Sequence, residues 1–181
     1  PEAKKYLPEI RKLIFAGKYE EADHIAKNMM GPYTQSYLPF GDLFIKFNHD
    51  GIEKNYRRSL DLQDGIARVQ YDIDDVTFTR EMFSSFEDQV IVIHLSANKP
   101  GKINFTAKLE SLLQTVIEKS NEELILRGVC PENVDPSYFR DNENPIIYEQ
   151  EGNGNSLTFE GRIAVQKDGG VSYLDGEGLH V

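Results

Sequence analysis

The sequence predicts a mainly β protein, a β-supersandwich that carries an antiparallel helix hairpin at its N-terminus. Three observations predict it: two short stretches of helical periodicity that stop at Gly31-Pro32, a change of pattern at Pro39, and runs of alternating apolar and polar residues from about residue 41 to residue 181.

The hairpin spans about residues 3–30. Tyr6, Ile10, Leu13 and Ile14 recur at helical spacing up to about Ala16, and Gly17 supplies the left-handed residue that commonly closes a helix. Ala22, Ile25, Ala26 and Met29 then share one face, and Gly31-Pro32 ends the second helix, because proline lacks the N–H that an interior turn needs. A helical-repeat array would also begin with paired helices joined at a glycine, but no second copy follows.

From Pro39 onward the chain reads as short β segments divided by Gly, Asp, Asn and Pro. Ala67, Val69, Tyr71 and Ile73 alternate with Arg68, Gln70 and Asp72, and Asp74-Asp75 turns the chain into Val76-Thr77-Phe78-Thr79. Val90-Ile91-Val92-Ile93 is apolar on both faces, which predicts a central strand covered on each side. Asn98-Lys99-Pro100-Gly101 leads to the alternating Ile103, Phe105, Ala107 and Leu109. Leu157, Phe159, Gly161, Ile163 and Val165 form another inward row, and Asp168-Gly169-Gly170 turns into Val171-Ser172-Tyr173. The count is about nine strands. Between Gly128 and Pro145 a stretch with Pro131, Pro136, Asp141 and Asn142 has neither period and reads as a long surface loop, a candidate contact surface.

Composition narrows the function. With 181 residues and 39% hydrophobic content the chain fits one domain with a real core. Its formal charge of −10 repels phosphate backbones and anionic lipids, so neither nucleic acid nor a membrane is an expected partner. Cys130 is the single cysteine, which leaves no internal disulfide, and no apolar run is long enough to span a bilayer. The chain reads as soluble, with a secreted or periplasmic bacterial setting as one option, and it looks cut at both Pro1 and Val181.

No catalytic set emerges. Glu20-Glu21, Asp72, Asp74-Asp75 and Glu122-Glu123 sit where helix surfaces and turns place solvated charge, although hydrolysis of a glycoside calls for two carboxyl groups facing each other across the bond. His24, His49, His94 and His180 lack metal-ligand spacing, and Asp72-Ile73-Asp74 reads as a turn and not a calcium loop. No serine has the strand-turn-helix setting of a nucleophile, and the glycine-rich runs Gly152-Asn153-Gly154-Asn155 and Gly176-Glu177-Gly178 precede strands, not the helix that cradles a phosphate. Asn104-Phe105-Thr106 has the form of a glycosylation acceptor but is read as lying inside a strand. Neither a metal nor a cofactor is expected.

The linker Gly31-Pro32-Tyr33-Thr34-Gln35-Ser36-Tyr37-Leu38-Pro39 stands out for its aromatics and amides. Tyr33, Gln35 and Tyr37 offer stacking faces and amide hydrogen bonds for a sugar; the competing reading has Tyr33 and Tyr37 seal the join between hairpin and sandwich.

Leu7-Pro8-Glu9-Ile10-Arg11-Lys12-Leu13-Ile14, Gly17-Lys18-Tyr19-Glu20-Glu21-Ala22, and Tyr37-Leu38-Pro39-Phe40-Gly41-Asp42-Leu43 resemble the N-terminal domain of family 95 glycoside hydrolases. Asn55-Tyr56-Arg57-Arg58-Ser59-Leu60-Asp61-Leu62, Thr77 to Ser85, Asp88 to Ile93, and Gly128-Val129-Cys130-Pro131 with Pro136 extend the resemblance in the same order over nearly the whole chain. The resemblance implies an α-L-fucosidase-like enzyme that inverts the anomeric centre, with its catalytic residues on an (α/α)6 barrel that is absent here. It also implies an earlier strand and a continuation of the sandwich beyond Val181. In this reading residues 1–181 are one architectural N-terminal domain, which packs on that barrel and holds no catalytic residue itself, with Tyr33, Gln35 and Tyr37 as candidates for a substrate rim. Two other classes remain open: a free-standing carbohydrate-binding sandwich, which the absence of tryptophan disfavours, and a protein-interaction domain that docks through the helix hairpin.

Overall fold

The computed structural model describes residues 3–31, 34–120, 123–139, 142–149 and 156–181. Pro32, Tyr33, Glu122, Asp141 and the run Gly152-Asn153-Gly154-Asn155 lie outside them. The chain is mainly β and divides into two compact units, one of residues 1–38 with 131–154 and one of residues 39–130 with 155–181.

The first unit holds the helix pair. A 3-10 turn at Ala3–Tyr6 runs into α1 (Leu7–Phe15), with Pro8 in its first turn, where its missing N–H costs nothing. Gly17 at φ 74° lets Lys18 N–H donate back to the Leu13 carbonyl and closes the helix before α2 (Tyr19–Ala26), which continues as a 3-10 turn at Lys27–Met29. Ile10 and Ala22 are the buried residues of the two helices, whereas Ile14, expected on the inner face, is exposed.

The stretch expected to be a plain loop is more ordered than that. It contains β9 (Asn133–Val134), which pairs antiparallel with β10 (Ile146–Ile147) just past Pro145, with Ile146 opposite Val134 and Ile147 opposite Asn133. Strands of two residues leave no periodic signal in a sequence, so the aperiodic reading was unavoidable.

Among the described residues the second unit contains three antiparallel sheets. The first orders β1 (Asp42–Phe47), β6 (Phe105–Glu110), β13 (Leu179–His180) and β12 (Tyr173–Leu174). The second orders β11 (Thr158–Ala164), β8 (Glu123–Val129) and β7 (Gln114–Ser120). The third orders β2 (Lys54–Asp61), β3 (Ile66–Ile73), β4 (Val76–Ser85) and β5 (Val90–Ala97). Phe105, Ala107, Leu109 and Leu179 from the first sheet and Leu124 and Leu126 from the second form one buried core, with Phe159 and Ile163 packed on it. Tyr71, Ile73, Val76 and Phe78 of the third sheet form another.

The β3–β4 hairpin is as expected, with Asp74 at φ 53° in the two-residue turn, a left-handed conformation that Asp tolerates. Three expectations are corrected. Among the described residues strand β5 is an edge strand, bonded to β4 alone, and Val90 and Ile91 are 48% and 79% exposed. A continuous apolar run announces only that both faces are apolar; whether anything covers them is a tertiary matter. Leu157 faces solvent instead of joining the inward row, although its carbonyl accepts the Cys130 N–H. Asn104 is exposed in the loop before β6 and not within a strand.

Candidate functional site

Residues 34–38 run alongside the β9–β10 ribbon in the first unit. Ser36 N–H donates to the Val134 carbonyl at 3.0 Å, and the Ser36 hydroxyl reaches the Asp135 carbonyl at 3.4 Å. Gln35 uses both ends of its amide: Oε1 accepts the Val134 N–H at 3.3 Å and Nε2 donates to the Glu132 carbonyl at 3.4 Å. Its side chain thereby serves the ribbon backbone, and a sugar would compete with those bonds. Tyr37, two residues on, is fully exposed. Its ring is an unobstructed stacking face on a backbone pinned by Ser36.

Asp135 organises this region. Its carboxylate accepts from Asn142 Nδ2 at 2.5 Å and Asn133 Nδ2 at 2.9 Å, while its own N–H donates to the Pro145 carbonyl. The Asn142 bond first and the Asn133 bond second hold its carboxyl below the usual range. The signal in the sequence is Asn133-x-Asp135 followed by Asn142, which is hard to separate from ordinary loop composition.

Among the described residues every other resolved carboxyl shift is in the same direction. Asn55 and then Thr77 lower Asp72, Lys99 lowers Asp75, Arg68 and then His94 lower Glu81, Arg162 lowers Glu160, and His180 lowers Asp175. Each is tied up by donors that favour the ionised form, whereas a general acid at a glycosidic bond needs a raised value. Asp72 is thus part of a side-chain network beside the β3–β4 turn, bonded to Asn55 and Thr77. Among the described residues no group of three His, Cys, Asp or Glu side chains is arranged to hold a metal ion. No described helix is long and apolar enough to cross a membrane.

Sequence reasoning missed a polar cluster on the third sheet. The Arg80 guanidinium lies 3.8 Å from the Phe47 ring centroid and 4.9 Å from that of Tyr71, and Nη2 donates to the Tyr71 hydroxyl at 2.5 Å. His49 Nε2 lies 3.3 Å from the same hydroxyl, with its ring against Phe78 at 4.6 Å. Arg80 Nε and His49 Nδ1 are buried without a hydrogen-bond partner. The only trace in the sequence is Arg80 at an inward position of β4, in register with Val69.

Antiparallel sheets together with two N-terminal helices paired as a hairpin define a class, a mainly β chain with a helical N-terminal element. Residues 1–181 match the family described as glycosyl hydrolase family 65, N-terminal domain, and the chain belongs to that family. It is similar to Alpha-L-fucosidase 2 of Arabidopsis thaliana, 34% identical over 194 residues, an alignment that covers 100% of this chain and 22% of the relative. The chain therefore spans about a fifth of the length of that curated relative.

Proposed function

We propose that residues 1–181 serve as the non-catalytic N-terminal domain of a glycoside hydrolase of the family 95 kind, one that removes α-L-fucosyl residues from oligosaccharides with inversion. The similarity to Alpha-L-fucosidase 2 along the entire chain carries the reading. Asp72, Asp135 and Glu160, whose carboxyls are held below the usual range, are poor general acids, which supports a reading in which acid–base chemistry belongs to an (α/α)6 barrel. Tyr37 stacks at the rim of the substrate site, Tyr33 is a second candidate by its place in the sequence, and Gln35 fixes the backbone that precedes Tyr37. An extracellular or periplasmic location in a bacterium fits an oligosaccharide substrate.

The test compares hydrolysis of an aryl α-L-fucoside and a fucosyllactose by this chain alone and by the full-length product of its gene, with the anomer first released read by NMR. Activity in the full-length product only, releasing β-L-fucose, is the expected result. Turnover by residues 1–181 alone overturns the non-catalytic assignment, release of α-L-fucose overturns inversion, and an inactive full-length product overturns the substrate.

A further inference from the structure

The first sheet carries an exposed aromatic ring on a rigid support. Register places Tyr173 of β12 opposite His180 of β13, and His180 opposite Thr106 of β6, so the three side chains share one face. The Tyr173 and His180 rings stack nearly parallel, with centroids 4.6 Å apart at 7°. Both nitrogens of the imidazole are engaged: Nδ1 meets the Thr106 hydroxyl at 3.2 Å, and Nε2 meets Asp175 Oδ1 at 2.8 Å. Two bonds in the ring plane fix the orientation of His180, whose side chain is only 14% exposed. Tyr173 covers it with one face of its phenol and is itself 56% exposed. A flat ring backed in this way loses little freedom when a ligand stacks on its other face.

Asp175 lies two residues beyond Tyr173, in the turn to β13. Its Oδ1 accepts the Glu177 and Gly178 N–H groups as well as meeting His180, and Lys119 Nζ bonds to its main-chain carbonyl, so the turn is tied down on both sides of the residue. Oδ2 takes no hydrogen bond among the described residues, and the side chain is 43% exposed. The His180 contact first, and the Glu177 N–H second, keep the carboxyl below its ordinary range, which leaves Oδ2 part of an ionised group with lone pairs to spare. A Cβ built at the next residue, Gly176, would meet nothing within 4 Å, so the approach to the carboxylate is open.

A pyranose matches both features. Its ring C–H groups stack on an aromatic face, and its hydroxyls donate to a carboxylate. We propose that Tyr173 and Asp175 form a saccharide-binding site on the second unit, which takes a neutral pyranoside with its C–H face on the Tyr173 ring and its hydroxyls on Asp175 Oδ2. The site is distant in sequence from Gln35 and Tyr37 and does not rest on the fucosidase reading. Acidic sugars and nucleotides are the wrong occupants, because each brings an anion toward Asp175 and Glu177 in a chain of net charge −10.

The probes are methyl β-D-galactopyranoside, whose ring C–H groups cluster on one face, and the corresponding uronate, each titrated into this chain and followed by amide NMR. The neutral glycoside binds with a Kd on the order of 1 mM and shifts the amides of Tyr173, Asp175 and Gly176, while the uronate binds about fivefold more weakly. Tyr173→Ala weakens the neutral glycoside about tenfold, and Tyr173→Phe, which keeps the ring, leaves it unchanged. Asp175→Asn retains an oxygen for the Glu177 and Gly178 N–H groups and brings the two glycosides close to equal. Absence of binding at about 50 mM neutral glycoside overturns the proposal, as does binding that Tyr173→Ala leaves intact or Tyr173→Phe abolishes. Shifts confined to Ser36 and Tyr37 would assign the sugar to the linker and overturn it too. A uronate that binds the parent chain as tightly as the neutral glycoside removes Asp175 from the site, with the same consequence.

Discussion

Gly128 of β8 stands directly opposite Phe159 of β11, and the phenyl ring lies across the space that a side chain at Gly128 would fill. A Cβ there would overlap Cζ of Phe159 and come within 2.7 Å of Thr115 Cγ2. Two residues beyond Phe159 on β11, a Cβ at Gly161 would come within 2.5 Å of Phe40 Cζ. The two rings that occupy these gaps meet edge to face, 5.0 Å apart at 61°.

Gly128→Ala is therefore expected to destabilise the second unit by about 1–3 kcal/mol, the usual range for overpacking, and Gly161→Ala by a similar amount. Urea denaturation followed by tyrosine fluorescence measures it. If Gly128→Ala alone leaves the midpoint unchanged, the ring is free to move and the close packing has no energetic weight.

Asp175 caps the turn into β13: it accepts the N–H groups of Glu177 and Gly178 and meets His180 Nε2 at 2.8 Å, while Lys119 Nζ bonds to its carbonyl. His180 first and the Glu177 N–H second hold its carboxyl below the ordinary value. A carboxyl lowered by folding contributes stability that is full above its unfolded value of about 3.9 and is lost as pH falls through the lower, folded value. Melting temperature followed from about pH 6 to about pH 2 should fall less steeply in Asp175→Asn than in the parent chain. Identical slopes would mean that the carboxylate contacts are not maintained in solution.

Asp135→Ala removes the acceptor shared by Asn133 and Asn142 and should loosen the ribbon of the first unit. Amide hydrogen exchange at Ser36 and Val134, whose N–H groups are bonded across this region, is expected to quicken, while exchange at Leu126 in the second unit stays slow. Unchanged exchange at Ser36 would show that the linker holds without the Asp135 hub.

Tyr37→Ala should shift stability by no more than about 0.5 kcal/mol, because the ring touches little that folding buries. In the full-length product it should raise KM for a fucosylated oligosaccharide while leaving kcat close to the parent value, the pattern of a lost binding contact. A fall in kcat with KM unchanged would place Tyr37 in a different role.

Local chemistry made part of this protein legible. The glycine at 17, the alternation through Ala67–Ile73 and the Asp74-Asp75 turn are short-range features, and they predict the helix pair and the β3–β4 hairpin without knowledge of the rest. The ribbon of β9 and β10 and the short strands β12 and β13 were not legible, since two residues cannot express a period. Gln35 was legible as a hydrogen-bonding residue, but not its engagement with Val134, about a hundred positions away.

The sequence by itself determined the long alternating strands such as Ala67–Ile73, the turn at Asp74-Asp75, and the large negative charge of the chain. Only the tertiary structure decided which strand lies at an edge. The run Val90–Ile93 has the apolar character of a covered strand, and what exposes it is the order β2-β3-β4-β5, set by pairings between segments distant in the chain. The same holds for Arg80, whose place between Phe47 and Tyr71 depends on three strands meeting, an arrangement that no local window of sequence contains.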